Sequence, residues 1–197
     1  GLLADRLIIG GSDDPLLYRV LLNLAHKSGN RALISYTPTG TRQGLELLQS
    51  QRVNATALHW GPDKEAATRH PALLHQYPQH SSWMLVHAFN REQGLILDAS
   101  AAEQIRDEKE LIEPRYRWSI RQNGSGAQRH LMETLARWGK VIDELNITGT
   151  ALSEREAASN ITMGLADIAP GAKSTAQEYG LAFIPLGSVS VDIVLAK

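Results

Sequence analysis

Three short turns rich in glycine, serine and threonine stand where strands are predicted to end and helices to begin. They are Gly10-Gly11-Ser12, Thr39-Gly40-Thr41 and Gly124-Ser125-Gly126. The first turn of a helix carries N–H groups without intrahelical partners and about half a positive charge, so a helix start attracts anions. Glycine lets a ligand approach the backbone, and a hydroxyl group adds a donor. Together the turns predict a site for a small oxyanion.

Each turn taken alone also fits a structural role, because serine and threonine are common helix N-caps and glycine is common in strand-to-helix turns. Two nucleotide signatures do not fit. The segment GSGAQR lacks the Gly-Lys-Ser/Thr of a P-loop, and GGSDDP is not a Gly-x-Gly-x-x-Gly dinucleotide turn. Three such turns in one α/β chain favour the ligand, because a parallel sheet gathers its loops at one end.

The elements that position these turns alternate along the first part of the chain. Strands are predicted at 7–10, 31–36 and 55–59, with one helix opening at Asp14-Pro15 and another after Thr41. The order βαβαβ predicts a parallel α/β sheet, whose ligand crevice lies beyond the carboxyl ends of its strands.

The second part of the chain continues this pattern after a connection at 61–82 that reads as loop-rich. Further strands are predicted at 83–89, 94–97 and 116–120, and further helices at 101–111, 126–138 and 153–163. Two late strands are predicted in the segments LAFIPLG and VSVDIVLA.

The composition is that of an ordinary globular chain, with 197 residues, 43% hydrophobic and 21% charged. Lysine plus arginine (20) nearly balances aspartate plus glutamate (21), so DNA binding by this segment is not expected. The chain has no cysteine, which excludes disulfides and cysteine metal sites. No apolar run reaches the roughly 18 residues of a membrane span.

Six segments carry a more specific signal: IIGGSDDPLL, TPTGTRQGLELL, ATALHW, REQGLIL, RQNGSGAQR and GLADIAPGAKSTAQEYGLAFIPL, in this order. The sequence resembles the periplasmic-binding-protein-like domain family, in particular its molybdate- and tungstate-binding members. This family occurs in solute-binding proteins and behind helix-turn-helix segments in bacterial regulators. The similarity covers nearly the whole chain, and RQNGSGAQR is its most specific match.

The resemblance implies an α/β, two-lobed type II fold with a parallel-rich mixed sheet in each lobe. The chain would cross between the lobes near 86–97 and near 181–186. Lobe one would then comprise 1–90 plus 184–197, and lobe two 91–183, as a single bilobal ligand-binding domain.

The resemblance also implies an anion held between the lobes by hydroxyls and by backbone N–H groups at helix starts. The ligand-binding residues carried over are Ser12, Thr41, Arg121, Ser125, Gly126, Ala127, Ser153 and Lys173. Ser153 also opens a Ser-x-x-Glu capping box with Glu156, so it fits a plain cap equally well.

Three residues depart from the family pattern. Ala127 stands where threonine is usual, Glu154 where histidine is expected, and Lys173 where an acidic residue is common. Lys173 is expected to balance Glu154 by pairing with it. These departures keep a small organic acid open as an alternative to molybdate or tungstate.

The sequence gives less support to two other functions, a hydrolase and a metal site. A serine-dependent hydrolase would need a base beside its nucleophile, and Ser125 with His59 is the pair that the sequence offers. His70, His75 and His80 lie in a stretch with two prolines and are not expected to bind a metal. Neither an enzyme activity nor a cofactor is expected, and His59 is either a ligand contact or a satisfied strand-end histidine.

The biological setting follows from the family as an expectation. A sensor would follow an upstream DNA-binding segment and form a homodimer, whereas a solute-binding protein would face a transport permease. The chain begins without methionine, so we expect a segment of a longer protein. A cytoplasmic sensor is favoured, with a periplasmic binding protein as the alternative.

Overall fold

The structure is a computed structural model and describes residues 6–29 and 33–197. The strands are β1 (Arg6–Gly11), β2 (Leu33–Tyr36), β3 (Ala55–Leu58), β4 (Trp83–Leu97), β5 (Arg117–Arg121), β6 (Asn146–Ala151), β7 (Ile168–Ala172) and β8 (Ala182–Ala196). The helices are α1 (Pro15–Lys27), α2 (Thr41–Gln49), α3 (Ala66–Leu74), α4 (Ala99–Gln104), α5 (Gly126–Arg137), α6 (Glu154–Thr162) and α7 (Lys173–Glu178). Within these ranges no helix is long and apolar enough to cross a membrane.

The strands form one mixed sheet in the order β2-β1-β3-β8-β4-β7-β5-β6. At one end β1 pairs in parallel with both β2 and β3, and at the other end β5 pairs in parallel with both β6 and β7. We call the β1–β3 end, with α1, α2 and α3, lobe one, and the β5–β7 end, with α5, α6 and α7, lobe two. The predicted α/β class is confirmed, and the parallel strands of each lobe belong to this one mixed sheet.

Two long antiparallel strands, β4 and β8, join the lobes. Trp83 to Val86 pair with the end of β8, which in turn pairs with β3, whereas Gln93 to Leu97 pair with β7. The register shifts between His87 and Phe89 and between Gln93 and Gly94. The crossing predicted near 86–97 falls within β4, and the one predicted near 181–186 overlaps the start of β8. The sequence predicted each strand as two shorter ones, because the polar residues 90–93 separate the apolar runs of β4 and Gly187-Ser188 separates those of β8.

Each lobe has its own apolar core, as the periodicity of its helices requires. In lobe one Leu45 and Leu48 of α2 pack in a cluster with Leu58 and Trp83. In lobe two Leu131 and Leu135 of α5 pack in a cluster built around Trp118.

Some elements differ from the sequence prediction. The stretch 61–82 contains α3 with Pro71 inside it, rather than only loop. The helix forms because Leu73 and Leu74 are buried in the core of lobe one, which outweighs the hydrogen bond that proline removes. The predicted helix at 101–111 is replaced by α4 and a separate 3-10 helix, Glu108–Ile112.

Three elements of lobe two were not predicted: β6, β7 and α7. The pattern of β6 is obscured because this edge strand buries only Ala151. The sequence of β7, IAPGA, resembles a turn, although all five of its residues are buried. Residues 31 and 32 of the predicted second strand lie outside the described residues.

Candidate functional site

Two hydroxyl groups predicted to bind the ligand lie close together in lobe one, at the carboxyl ends of its strands. Ser12 follows β1 and Thr41 begins α2, and both are buried. The Ser12 Oγ lies 2.9 Å from the Thr41 Oγ1, which donates to the carbonyl oxygen of His59 at 3.2 Å. Three loops of lobe one, which follow β1, β2 and β3, are therefore joined by one hydroxyl chain.

The Gly-Ser-Gly turn of lobe two begins α5, as predicted. Ser125 caps the helix, since its Oγ accepts from the Gln128 N–H at 3.1 Å and donates to the Gln122 carbonyl at 2.9 Å. Gly126 lies against lobe one: a Cβ added to it would be 2.3 Å from the His59 carbonyl oxygen and 2.5 Å from its Nδ1. Ala127 is buried behind this contact. The turn is therefore one of the places where lobe two touches lobe one.

Ser153 caps α6 and accepts from the Glu156 N–H at 3.0 Å. The Glu156 carboxylate accepts from the Leu152 N–H at 2.8 Å, so the capping box reaches one residue further back than predicted.

The expected pair between Lys173 and Glu154 is wrong. The Lys173 Nζ lies 3.0 Å from Glu92, and both side chains are about half exposed. Glu154 is instead paired with the Arg121 Nη1 at 2.8 Å, and it also accepts from the Ala172 N–H and the Thr175 hydroxyl. The ends of β5, β6 and β7 bring Arg121 and Glu154 together inside lobe two, whereas Lys173 points to the surface.

A buried arginine that the sequence analysis did not single out lies where the two lobes meet. Arg91 comes from β4, and its guanidinium donates to Gln93 Oε1 (3.1 Å), to Asp14 Oδ2 (2.9 Å) and to the Asp13 carbonyl (2.9 Å). Its Nη2 lies 3.0 Å from His59 Nε2. A charged residue in a strand that crosses between lobes was the available signal.

His59 and Gln93, which are both bonded to Arg91, each have a second polar atom without a hydrogen-bond partner among the described residues. Because arginine only donates, His59 Nε2 accepts from Arg91 and the proton of the neutral ring is on Nδ1. Burial, with the positive charge of Arg91 second, holds the pKa of His59 well below its usual value. Neither the Nδ1 of His59 nor the Nε2 of Gln93 has a partner among the described residues, although both atoms are buried. Both are N–H donors.

Asp13 connects the two lobes. Its carboxylate accepts from the N–H of Glu154, the first residue of α6, at 2.7 Å. Burial, followed by the negative charge of Glu154, raises the pKa of Asp13 above its usual value. Asp14, by contrast, caps α1 as predicted and pairs with Arg91. Asp13 therefore protonates at a higher pH than an ordinary aspartate.

The serine-dependent hydrolase hypothesis requires a base within hydrogen-bonding distance of the Ser125 hydroxyl. In the described part of the chain the hydrogen bonds of the Ser125 hydroxyl group are made with Gln122 and Gln128. The ring of His59 is bonded through Nε2 to Arg91. The Ser125 hydroxyl therefore donates to a backbone carbonyl rather than to the His59 ring.

Further contacts hold the lobes together at the mouth of the cleft. The Arg42 N–H donates to the Gly124 carbonyl at 3.0 Å, and the Arg69 Nη1 lies 2.6 Å from Glu133.

Solved structures with similar folds belong to binding proteins and to regulators. The effector-binding domain of QuiR, in complex with shikimate, has a TM-score of 0.66 at 9% identity, with 98% of this chain and 87% of that chain covered. A putative phosphate ABC transporter substrate-binding protein from Clostridium perfringens, with bound phosphate, has a TM-score of 0.66 at 12% identity, with 96% and 86% covered. Full-length CbnR, complexed with its target DNA, has a TM-score of 0.64 at 16% identity, with 98% and 64% covered.

These identities are low, so the similar structures show the fold. No curated protein matches the sequence. The family model described as the PBP superfamily domain matches residues 22–197, which is most of the chain. As its motifs predicted, the chain belongs to the periplasmic-binding-protein-like (PBP) superfamily.

Proposed function

We propose that this chain binds a small anion in the cleft between its lobes. The observation that carries the proposal is the pair of buried N–H donors, His59 Nδ1 and Gln93 Nε2, without acceptors among the described residues. A buried donor without a partner costs roughly 1–3 kcal/mol, so proteins rarely retain one. The oxygen atoms of an anion accept hydrogen bonds, so a bound anion would satisfy both donors.

The surrounding groups suit the same ligand. The side chains that carry the two donors flank the guanidinium of Arg91, and Arg121 lies nearby in lobe two. The starts of α2 and α5 face each other across the cleft, where Arg42 donates to Gly124. The hydroxyls of Ser12, Thr41 and Ser125 turn about a single bond, so each can exchange its present acceptor for a ligand oxygen.

Access to this site requires the lobes to separate, because Gly126 packs directly on His59. The hinge would be the register shifts of β4, which lie on either side of Arg91. The lobe boundaries 1–90 plus 184–197 and 91–183 are part of this proposal.

The proposal also concerns the chemical class of the anion. The donor-rich set favours an unprotonated oxyanion of the molybdate or tungstate class, and the carboxylate of Asp13 opposes a second negative charge. A small organic acid, singly charged, is the alternative. Similar structures with phosphate and with shikimate support both classes.

A thermal-unfolding panel with molybdate, tungstate, sulfate, phosphate and small organic acids tests the proposal. An anion at about 100 times its dissociation constant adds roughly 2.7 kcal/mol to the free energy of unfolding. For a chain of this length that raises Tm by about 5–10 °C. A panel without any shift contradicts anion binding.

The variant Gln93→Leu locates the site. Removing the unpaired Nε2 donor should weaken anion binding about tenfold, the loss expected for a hydrogen bond to a charged ligand. Gln104→Leu, at an exposed position of α4, is the matched control and should bind as the natural protein does. Unchanged affinity in Gln93→Leu would place the anion elsewhere.

Asp13 gives the binding a pH dependence. Because its pKa is raised, acidification neutralises Asp13 before an ordinary aspartate and removes its repulsion of the anion. Affinity measured by calorimetry should therefore rise as the pH falls. Asp13→Asn should bind about tenfold tighter at neutral pH and lose this part of the pH dependence, corresponding to about 1.4 kcal/mol. Tighter binding of the natural protein at higher pH would contradict this role.

The biological role of anion binding is proposed from the comparisons with solved structures. One similar structure is a regulator complexed with DNA, and another is a substrate-binding protein of a transporter. We favour a cytoplasmic, homodimeric sensor attached to a DNA-binding segment, with a periplasmic partner of a permease as the alternative. Sequencing the gene on both sides of this segment distinguishes them: a helix-turn-helix region supports the sensor, and a secretory leader contradicts it.

A further inference from the structure

A cavity of about 350 Å³ opens between the lobes beside the start of α5, where it adjoins the cleft at Gly124 and Ser125. Lobe one contributes Arg42 and Trp60, and α5 contributes Arg129, Met132 and Glu133. Arg91, Gln93 and His59 are not among the described residues that line it. We call this cavity the mouth pocket. Its volume lies at the lower end of small-molecule sites, which are about 300–1,000 Å³.

The mouth pocket joins an aromatic ring to two positive charges. The guanidinium carbon of Arg42 lies 5.0 Å from the centre of the Trp60 ring, and that of Arg129 lies 4.7 Å from it. Trp60 is itself buried, so its ring is held in place. These contacts hold both guanidinium groups beside the Trp60 ring, at the wall of the cavity.

The charge of the pocket is positive. Glu133 is the carboxylate among the described lining residues, and it lies 2.6 Å from Arg69 Nη1 and 3.0 Å from Arg129 Nε. Its charge is therefore shared with Arg69, and Arg42 has no carboxylate opposite it among the lining residues. Met132, at 48% exposure, supplies apolar surface on the opposite side.

We infer that the mouth pocket is a second binding site and takes a planar organic anion, a carboxylate on an aromatic ring. Guanidinium groups bind carboxylates through two parallel N–H bonds and stack on flat rings. Met132 and the edge of Trp60 would cover the apolar body of the ligand. A bare inorganic anion would leave most of the volume unfilled.

The position of the pocket links it to the cleft. Arg42 belongs to lobe one and Arg129 to lobe two, so a ligand that contacts both is bound best when the lobes touch. The cleft anion of the proposed function would also favour that state. Each ligand then strengthens binding of the other by the same factor, as linkage requires. This coupling rests on the proposed function, whereas binding at the mouth pocket does not.

The test titrates the protein with 2-naphthoate and follows the indole N–H of Trp60 by NMR, assigned with Trp60→Phe. We expect that resonance to move, with binding at or below the millimolar range. Acetate, which has the carboxylate without the ring, should bind at least about tenfold more weakly, since ring contacts supply part of the free energy. No movement of the Trp60 resonance up to about 10 mM 2-naphthoate, ten times a millimolar dissociation constant, or equal binding of acetate, would overturn the inference.

Variants separate this site from the cleft. The double variant Arg42→Gln, Arg129→Gln should lose at least about tenfold in 2-naphthoate affinity, because two charge-assisted contacts are removed. Arg115→Gln is the matched control, since Arg115 also lies over an aromatic ring, that of Tyr116 at 4.7 Å, on the far side of lobe two. Affinity unchanged in the double variant contradicts the assignment.

Gln93→Leu completes the design. If 2-naphthoate occupies the mouth pocket, this variant should retain its binding while losing affinity for the cleft anion. Loss of 2-naphthoate binding in Gln93→Leu would mean that the compound enters the cleft, which overturns the second site and leaves the proposed function standing. A panel without inorganic anion binding would affect the coupling and not the mouth pocket.

Discussion

The guanidinium of Arg91 shows how one residue can organise a binding cleft. It is buried, and it is bonded to side chains from β4, from the start of α1 and from the end of β3. The pair with Asp14 leaves neither charge alone, which is the condition for burying an ion pair. By using the acceptor atoms of His59 and Gln93, Arg91 leaves their donors for a ligand.

A neighbouring histidine makes stability depend on pH. Burial, with Arg137 nearby, lowers the pKa of His130 to about 4. The unfolded chain binds a proton at a pKa of about 6.5, so between pH 6.5 and 4 unfolding takes up a proton and the native state loses stability as the pH falls. The contribution of His130 to this loss should reach about 3 kcal/mol at pH 4.

Chemical denaturation of the natural protein and of His130→Gln at several pH values measures this contribution. The difference between their unfolding free energies should change in favour of the variant as the pH falls from 6.5 to 4. His26→Gln, at an exposed position of α1, is the control and should follow the natural protein. A difference that does not vary with pH would refute the role of His130.

At the scale of elements, the starts of the helices determine where the site is. Asp14 caps α1, Ser125 caps α5 and Ser153 caps α6 by accepting from N–H groups of the first turn. The N-cap residue of α2 is Gly40, so this helix has no side-chain cap. The helices α1, α5 and α6 therefore have their first N–H groups bonded to a cap. In α2, by contrast, the Arg42 N–H of the first turn donates to Gly124 of lobe two.

The packing of α2 depends on a glycine. A Cβ added to Gly44 would be 2.1 Å from Thr56 Oγ1 and 2.6 Å from the Gly11 Cα, so the helix lies directly on β1 and β3. Alanine is the better helix former by about 1 kcal/mol. Gly44→Ala should nevertheless destabilise the protein by roughly 1–3 kcal/mol through overpacking.

Gly149→Ala in the edge strand β6 is the matched control for Gly44→Ala. No atom of the described chain lies within 4 Å of a Cβ at Gly149. Its free energy of unfolding should stay within about 0.5 kcal/mol of the natural protein. Thermal or urea unfolding of both variants is sufficient, and equal effects would mean that α2 has room to move away from β1.

At the scale of the whole molecule, the contact between Gly126 and His59 controls closure. Gly126→Ala would place a methyl group 2.3 Å from the His59 carbonyl, and the lobes must separate to accommodate it. We expect a larger radius of gyration by small-angle scattering. If the population with touching lobes falls to about a tenth, anion affinity falls about tenfold.

Gly149→Ala again serves as the control for Gly126→Ala, because it adds the same methyl group away from the cleft. Its scattering and anion affinity should match those of the natural protein. Unchanged scattering in Gly126→Ala would show that side chains absorb the methyl group without opening the lobes.

The sequence by itself determined the class of fold, the family and the turns that begin α1, α2 and α5. Period-two and helical apolar patterns follow from local geometry, so β1, α1, α2 and α5 were predicted close to their observed positions. The cap of α1 by Asp14 and the start of α5 at Gly-Ser-Gly are also local features. They depend on residues that are neighbours in the chain.

Only the tertiary structure decided the pairings. Arg121 rather than Lys173 binds Glu154, Arg91 lies where the two lobes meet, and β7 is a strand although IAPGA resembles a turn. Burial and long-range contacts determine these features, and both arise when distant segments fold together. A charge finds its partner through the arrangement of strand ends in space, and the spacing of residues along the chain does not contain that arrangement.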